Sequence, residues 1–170
     1  GALHVDVFLD SMDGLFGGYT PVIRLEIMRD DAVGAFGLSG GVLLLVLKLT
    51  ALGALPDRRA ALLLAPTIAR WGISMAIFLF PYGRDQGLGR AMKDETRWPQ
   101  AVLATTSALA VAWFISGPLG WMACGVATLL GWAISRLALS RIPGLTGDTY
   151  GAIGEMLELL LLLFFAFLSQ

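Results

Sequence analysis

Apolar residues gather into five long runs along the chain, at positions 38–55, 61–80, 101–116, 119–139 and 152–168, divided by stretches rich in glycine, proline and charge. Runs of this length suit helices crossing about 30 Å of hydrocarbon. The third is short for a full crossing, and only Gly117 and Pro118 separate it from the fourth, which predicts a tight helical hairpin. The stretch 1–16 reads as the tail of a sixth span. The pattern therefore predicts an all-α fold, a polytopic transmembrane bundle of five to six spans, forming one domain over residues 1–170. No internal repeat or low-complexity segment interrupts it.

Composition places this bundle in a lipid bilayer. Of 170 residues, 56% are hydrophobic and 15% charged, with a mean hydropathy of +0.74, whereas soluble domains are roughly 45 to 50% apolar. A net charge of -1 gives no attraction to a nucleic acid polymer, so charge has to act through local arrangement. The lone cysteine, Cys124, closes no internal disulfide, and the lone histidine, His4, excludes a His-rich metal site. Any metal would be held by oxygen ligands. The chain opens GALHVDV, with neither a charged n-region nor a cleavage site, and is expected to be the later part of a longer polypeptide whose upstream spans are missing.

Five crossings put 1–37, 81–100 and 140–151 on one face. That face holds Arg24, Arg29, Arg84, Arg90, Lys93, Arg97 and Arg141, against Arg58 and Arg59 opposite. The positive-inside rule makes it cytoplasmic, in a prokaryotic inner membrane. Every aspartate except Asp57 lies there too, so acids and bases share one face.

The stretch HVDVFLDSMDGLFGG sets Asp6, Asp10 and Asp13 at helical offsets of four and seven, on one stripe. Like charges so placed repel unless a cation lies among them. Carboxylates at a membrane surface with arginines on neighbouring loops suit a hard cation bridging to phosphate oxygens, the alternative being caps or solvated acids. In IPGLTGDTYGAIGE, Gly144, Gly147 and Gly151 surround Asp148 and Thr149 before a helix, an arrangement that attracts an anion or marks Asp148 as an N-cap. Glu155 and Glu158 enter that helix and are expected to face inward. Lys48 and Arg70 lie inside spans. Lys48 is near enough to an end to snorkel, whereas Arg70, mid-span, calls for an internal partner, and Pro66 is positioned to free a backbone carbonyl beside it. The loop PYGRDQGLGRAMKDETRW suits a nucleotide or anionic lipid.

Taken in order, HVDVFLDSMDGLFGG, RLEIMRDDAVGAFG, Lys48, LAPTIARW, PYGRDQGLG and GLTGDTYGAIGE resemble the motifs of the cobalamin synthase family, the adenosylcobinamide-GDP ribazoletransferases. The resemblance covers nearly the whole chain. It departs at Val7, where the family has Gly, at Asp31, where it has Ser, and at Tyr19-Thr20-Pro21, where it has a charged stretch. It implies that a ribose hydroxyl of α-ribazole, or of its 5'-phosphate, attacks the cobinamide-linked phosphorus of adenosylcobinamide-GDP and expels GMP. It further implies Mg2+ held by Asp6, Asp10, Asp13 and Asp148, which form the catalytic set, with Arg29, Lys48, Arg70, Arg84, Gly147 and Thr149 on the substrate. A homo-oligomer is compatible with it. Two other readings stand beside it: a CDP-alcohol-type phosphotransferase, whose motif would need Ala-Arg where Gly17-Gly18 stands, and a non-catalytic transporter subunit using its intramembrane charges as a pathway.

Overall fold

A computed structural model of the chain describes residues 3–56 and 58–169, which form eight helices and no strand. They are α1 (Leu3–Gly17), α2 (Pro21–Ile27), α3 (Ala35–Ala54), α4 (Arg58–Leu79), α5 (Leu88–Glu95), α6 (Trp98–Ser116), α7 (Pro118–Leu139) and α8 (Gly147–Leu168). Among the described residues five helices, α3, α4, α6, α7 and α8, are long and apolar enough to cross a membrane. Each of the five predicted apolar runs is a helix of this kind; α1, expected as the tail of a sixth span, has 15 residues and is not among them. Gly1 and Asp57, on which two of the sequence expectations rested, lie outside the described residues.

The helices begin three to five residues before the apolar runs where polar groups extend them. Thr146 caps α8: its hydroxyl accepts from Thr149 N, while Thr149 Oγ1 accepts from Thr146 N. This reciprocal pair satisfies two orphan donors of the first turn and sets the helix start at Gly147, not at 152. Thr20 caps α2 by a single bond, its hydroxyl accepting from Ile23 N. Gly117, at φ 55°, turns the chain between α6 and α7 and makes the predicted hairpin. Helix α4 runs through Pro66 without a break.

Helix α8 is the axis of the bundle. It packs against α1, α3, α4 and α7, and 61% of its apolar window is buried against 17% for α6. Leu64, Ile68, Leu157 and Leu161 fill the centre without exposure. Small residues, Ala65 and Ala69 on α4, Ala112 on α6, and Ala123 and Ala127 on α7, are equally enclosed. In a bilayer, where burying apolar surface gains little, such residues let backbones approach and collect dispersion contacts.

Three connections converge on one end of the bundle. Gly83 N donates to Leu145 O and Leu145 N to Pro81 O, both at 2.8 Å, tying the segment after α4 to the segment before α8. Here the Gly83 and Gly144 backbones meet so closely that a Cβ on either would collide with the other. Arg24 donates to Gly18 O and Arg141 O, Arg141 donates to Leu15 O and lies 4.3 Å above the Phe16 ring, and Arg84 reaches Leu25 O. Lys93 donates to Ile77 O and Phe78 O, closing the C-terminal end of α4. The shared face inferred from counting crossings is thus a single bonded layer.

Candidate functional site

The acidic stripe of α1 points at this layer, but its three members meet different surroundings. Asp13 is buried, and its two oxygens accept from Gly34 N at 2.7 Å and Gly37 N at 2.8 Å. Both amides belong to the start of α3, whose N-cap, Gly34, has no side chain to offer. Asp13 is therefore the cap of α3, supplied from another helix, and its negative charge also faces the positive end of the helix dipole. A Cβ at Gly34 or Gly37 would strike this carboxylate. Asp6 is exposed and Asp10 half-buried, and neither has a hydrogen-bond or ion-pair partner among the described residues.

Asp10 stands where several charges meet. Its pKa is pushed up to about 6 by partial burial first, then by the charges of Asp6, Asp148 and Asp13, with Arg84 pulling the other way. The first turn of α8 provides Asp148, which Arg84 grips through Nη2 at 2.9 Å and toward which Thr146 Oγ1 donates at 3.3 Å. Exposed Arg29, from the segment after α2, adds its charge to the surroundings of Asp148. Arg84 is only 12% exposed and its Nε has no partner. An unbonded guanidinium N-H in a buried position is a donor awaiting an acceptor. Tyr82 stacks on Tyr150 at 6.0 Å and packs the base of the loop that carries Arg84.

Thr149 spends its hydroxyl on the capping box and is buried, so its part is to shape the loop. Gly147 faces open space. The N-cap is Thr146 and not Asp148, which leaves the Asp148 carboxylate free for Arg84. The sequence signal for this was Thr146-x-x-Thr149, a variant of the capping-box spacing.

Deeper in the bundle, Lys48 of α3 lies between Glu155, at 2.5 Å, and Glu158, at 2.9 Å. Arg70 of α4 bonds the other oxygen of Glu158 at 2.6 Å and approaches His4 Nδ1 at 3.5 Å. The expected internal partner of Arg70 is thus Glu158, and Pro66 contributes its carbonyl to the same guanidinium at 3.4 Å. Lys48 is enclosed and fully engaged; it does not snorkel. Half of the Arg70 side chain stays exposed. His4, which carried no expected role, joins this network because α1 crosses α8 at Gly151, beside His4 and Val7.

The donor set near Asp10 consists of hard carboxylate oxygens with excess negative charge, the chemistry that magnesium takes. Among the described residues, no three acidic, histidine or cysteine side chains converge closely enough to enclose an ion as they stand. Asp13 is committed to α3 and Asp148 to Arg84, which leaves Asp6 and Asp10 as the uncommitted pair. The set fits a cation held by two carboxylates and completed by substrate oxygens, the usual mode for magnesium on phosphates.

The chain is thus a polytopic helical membrane protein with carboxylates, arginines and a helix N-terminus gathered on one face. More particularly, residues 1–166 match the family model for cobalamin-5-phosphate synthase, and the chain belongs to that family. It is 37% identical over 161 residues to an adenosylcobinamide-GDP ribazoletransferase of Desulforamulus reducens, covering 93% of this chain and 64% of that protein. It is 36% identical over 178 residues to the one of Synechocystis sp., covering 96% and 66%, and 39% identical over 171 residues to that of Deinococcus radiodurans, covering 97% and 59%. The chain therefore spans about two thirds of the length of the curated relatives it matches. No solved structure matches it.

Proposed function

We propose that the protein is a membrane phosphotransferase that joins adenosylcobinamide-GDP to α-ribazole, or to its 5'-phosphate, with release of GMP. The relatives' printed activity supports this reading, and so does the family match over residues 1–166. The observation that carries it structurally is the buried Arg84, paired with Asp148 through Nη2, holding an unused Nε, and near enough for its charge to act on Asp10. A CDP-alcohol or transporter reading has no comparable support.

The chemistry needs positioning and charge neutralisation more than covalent assistance. The ribose oxygen forms a bond to the cobinamide-linked phosphorus as the bond from that phosphorus to the GMP oxygen breaks, and the hydroxyl proton passes to a carboxylate of the site. Arg84 offers its unused Nε to a phosphate while Nη2 stays on Asp148, a fixed planar donor that a lysine does not reproduce. Asp148 holds that guanidinium in orientation, and Arg29 adds positive charge at the exposed rim. Asp6 and Asp10, the uncommitted carboxylates, would hold Mg2+ while Asp148 stays paired with Arg84. When bound, the ion neutralises charge building on the phosphoryl oxygens. Asp13 holds α3 against α1 and so fixes the stripe. The face carrying these groups is the cytoplasmic one, by its excess of arginine and lysine.

The direct test supplies adenosylcobinamide-GDP and α-ribazole to the protein in bilayer nanodiscs and follows GMP and the joined cobalamin by chromatography. Equimolar appearance of both, abolished by chelation of magnesium, is the expected result. Consumption of a CDP-alcohol in place of adenosylcobinamide-GDP would overturn the reading.

A further inference from the structure

Where α4 packs against α6 and α7, two apolar grooves open side by side. One, of about 310 Å³, lies between α4 and α7, and the other, of about 300 Å³, between α4 and α6. Met75, Leu79 and Thr105 belong to both. Exposed Leu129 and Trp132 edge the first and exposed Trp98 and Val102 the second, so both open on the outer surface of the bundle. From Trp98 to Thr105 the α6 wall runs about 10 Å at the helical rise, within one leaflet of a core about 30 Å thick. Trp98 and Arg136 stand equally far along the chain from Gly117, the turn of the α6 to α7 hairpin, so the antiparallel helices bring them to one level. Arg97 precedes Trp98, and Arg136 follows Trp132 by one turn on the same stripe of α7.

The charge of this rim decides between occupants. Arg97 and Arg136 are exposed, and neither forms an ion pair among the described residues. Arg90 is neutralised by Asp94 at 3.0 Å. Lys93, Arg97 and Arg136 outnumber exposed Glu95, so the rim is positive. The indoles differ in a parallel way. Trp71 and Trp121 donate to Thr105 Oγ1 and Leu109 O, whereas Trp98 and Trp132, both exposed, have no acceptor among the described residues. Tryptophan so placed suits the boundary between headgroups and chains. Paired apolar grooves beneath two unpaired cations suit a molecule with two chains and an anionic head. A zwitterionic head sets an ammonium against the same arginines, and a soluble phosphate leaves the grooves unfilled.

We propose that the two grooves and their basic rim form a site for one anionic phospholipid of the leaflet adjoining the charged layer, its phosphodiester between Arg97 and Arg136 and one acyl chain in each groove. The site is independent of the transfer reaction, and its test involves no turnover. The protein in detergent micelles is titrated with phosphatidylglycerol or with phosphatidylcholine of the same chains, and bound lipid is counted by native mass spectrometry. Phosphatidylglycerol is expected to bind roughly 10- to 30-fold more tightly, the order set by two basic residues at a membrane surface, and the preference shrinks as salt is raised. In Arg97→Gln/Arg136→Gln the preference disappears while phosphatidylcholine binding holds. Without lipid this variant melts as the wild type does, because neither arginine is ion-paired. Gly131→Leu, at the wall of the first groove and with only ordinary contact to Leu157 at its root, weakens both lipids and keeps the preference. Glycerol 3-phosphate, a head without chains, displaces neither. Equal affinity of the wild type for the two lipids, a preference that survives loss of both arginines, or displacement by glycerol 3-phosphate would overturn the assignment. A dimer in the same spectra that added lipid does not dissolve would give the grooves to a second copy of the chain and overturn it as well.

Discussion

Asp10 and Asp13 stand three residues apart on one stripe of α1, yet one carboxylate is uncommitted and the other bonds two backbone amides. Replacing Asp13 by Ala strips both amides of a charged acceptor and is expected to cost about 2 to 4 kcal/mol of stability, read as a lowered unfolding temperature before any loss of intrinsic rate. Asp10 gives the opposite sign. Its pKa in the fold, about 6, lies above the ordinary 3.8, so folding favours the protonated acid. Its ionised form therefore opposes folding above about pH 6, and this penalty disappears as pH falls toward 4. The difference in melting temperature between Asp10→Asn and wild type should accordingly be largest near pH 7 in chelator and shrink at pH 5. Magnesium at pH 7 should raise the wild-type melting temperature and leave Asp10→Asn nearly unmoved. A magnesium response of equal size in both proteins would remove Asp10 from the ion site. The stripe itself was legible in the spacing of the acids. The fate of Asp13 was not, because its donors, Gly34 and Gly37, follow more than twenty residues later and belong to a different helix.

Among the helices, the charges of α3, α4 and α8 form a chain, Glu155 to Lys48 to Glu158 to Arg70. Lys48 serves two acids and Arg70 one, so the two substitutions should differ. Lys48→Met leaves Glu155, 6% exposed, without a counter-charge and should destabilise the bundle by about 3 to 5 kcal/mol. Arg70→Met leaves Glu158 still paired with Lys48 and should cost clearly less, with Arg70→Lys partly tolerated, as unfolding in detergent would register. Equal losses would mean that the network is not shared as drawn. Hydropathy was enough to find the five spans and to demand an inward partner for Arg70, since a mid-span charge is expensive facing lipid. The sequence reading favours a substrate phosphate over Glu155 or Glu158 for that partner, whereas the structure pairs Arg70 with Glu158, a choice that depends on how α4 and α8 are rotated about their axes. Helix starts were missed for a related reason: capping by Thr146 or by Asp13 adds polar residues that no apolar run reveals.

For the molecule as a whole, the central claim is that one face gathers the chemistry. The Pro81 to Gly83 and Leu145 bonds require the connections after α4 and after α7 to lie together. In a Cys124→Ala background, cysteines at exposed Gln86 and Ser140 should be labelled from the same side of the membrane and one at Pro56 from the other; labelling of Gln86 and Ser140 from opposite sides would contradict the fold. That the face works on a phosphate ester is tested most directly through Arg84, whose spare donor is the feature hardest to explain by packing. The decisive measurement is the rate of GMP release from adenosylcobinamide-GDP, with α-ribazole and saturating magnesium, by Arg84→Met beside wild type, each shown to melt within a few degrees of the other. Loss of one preorganised donor to the reacting phosphoryl group predicts a fall of about 10² to 10³. A folded Arg84→Met protein that releases GMP at the wild-type rate would contradict the account.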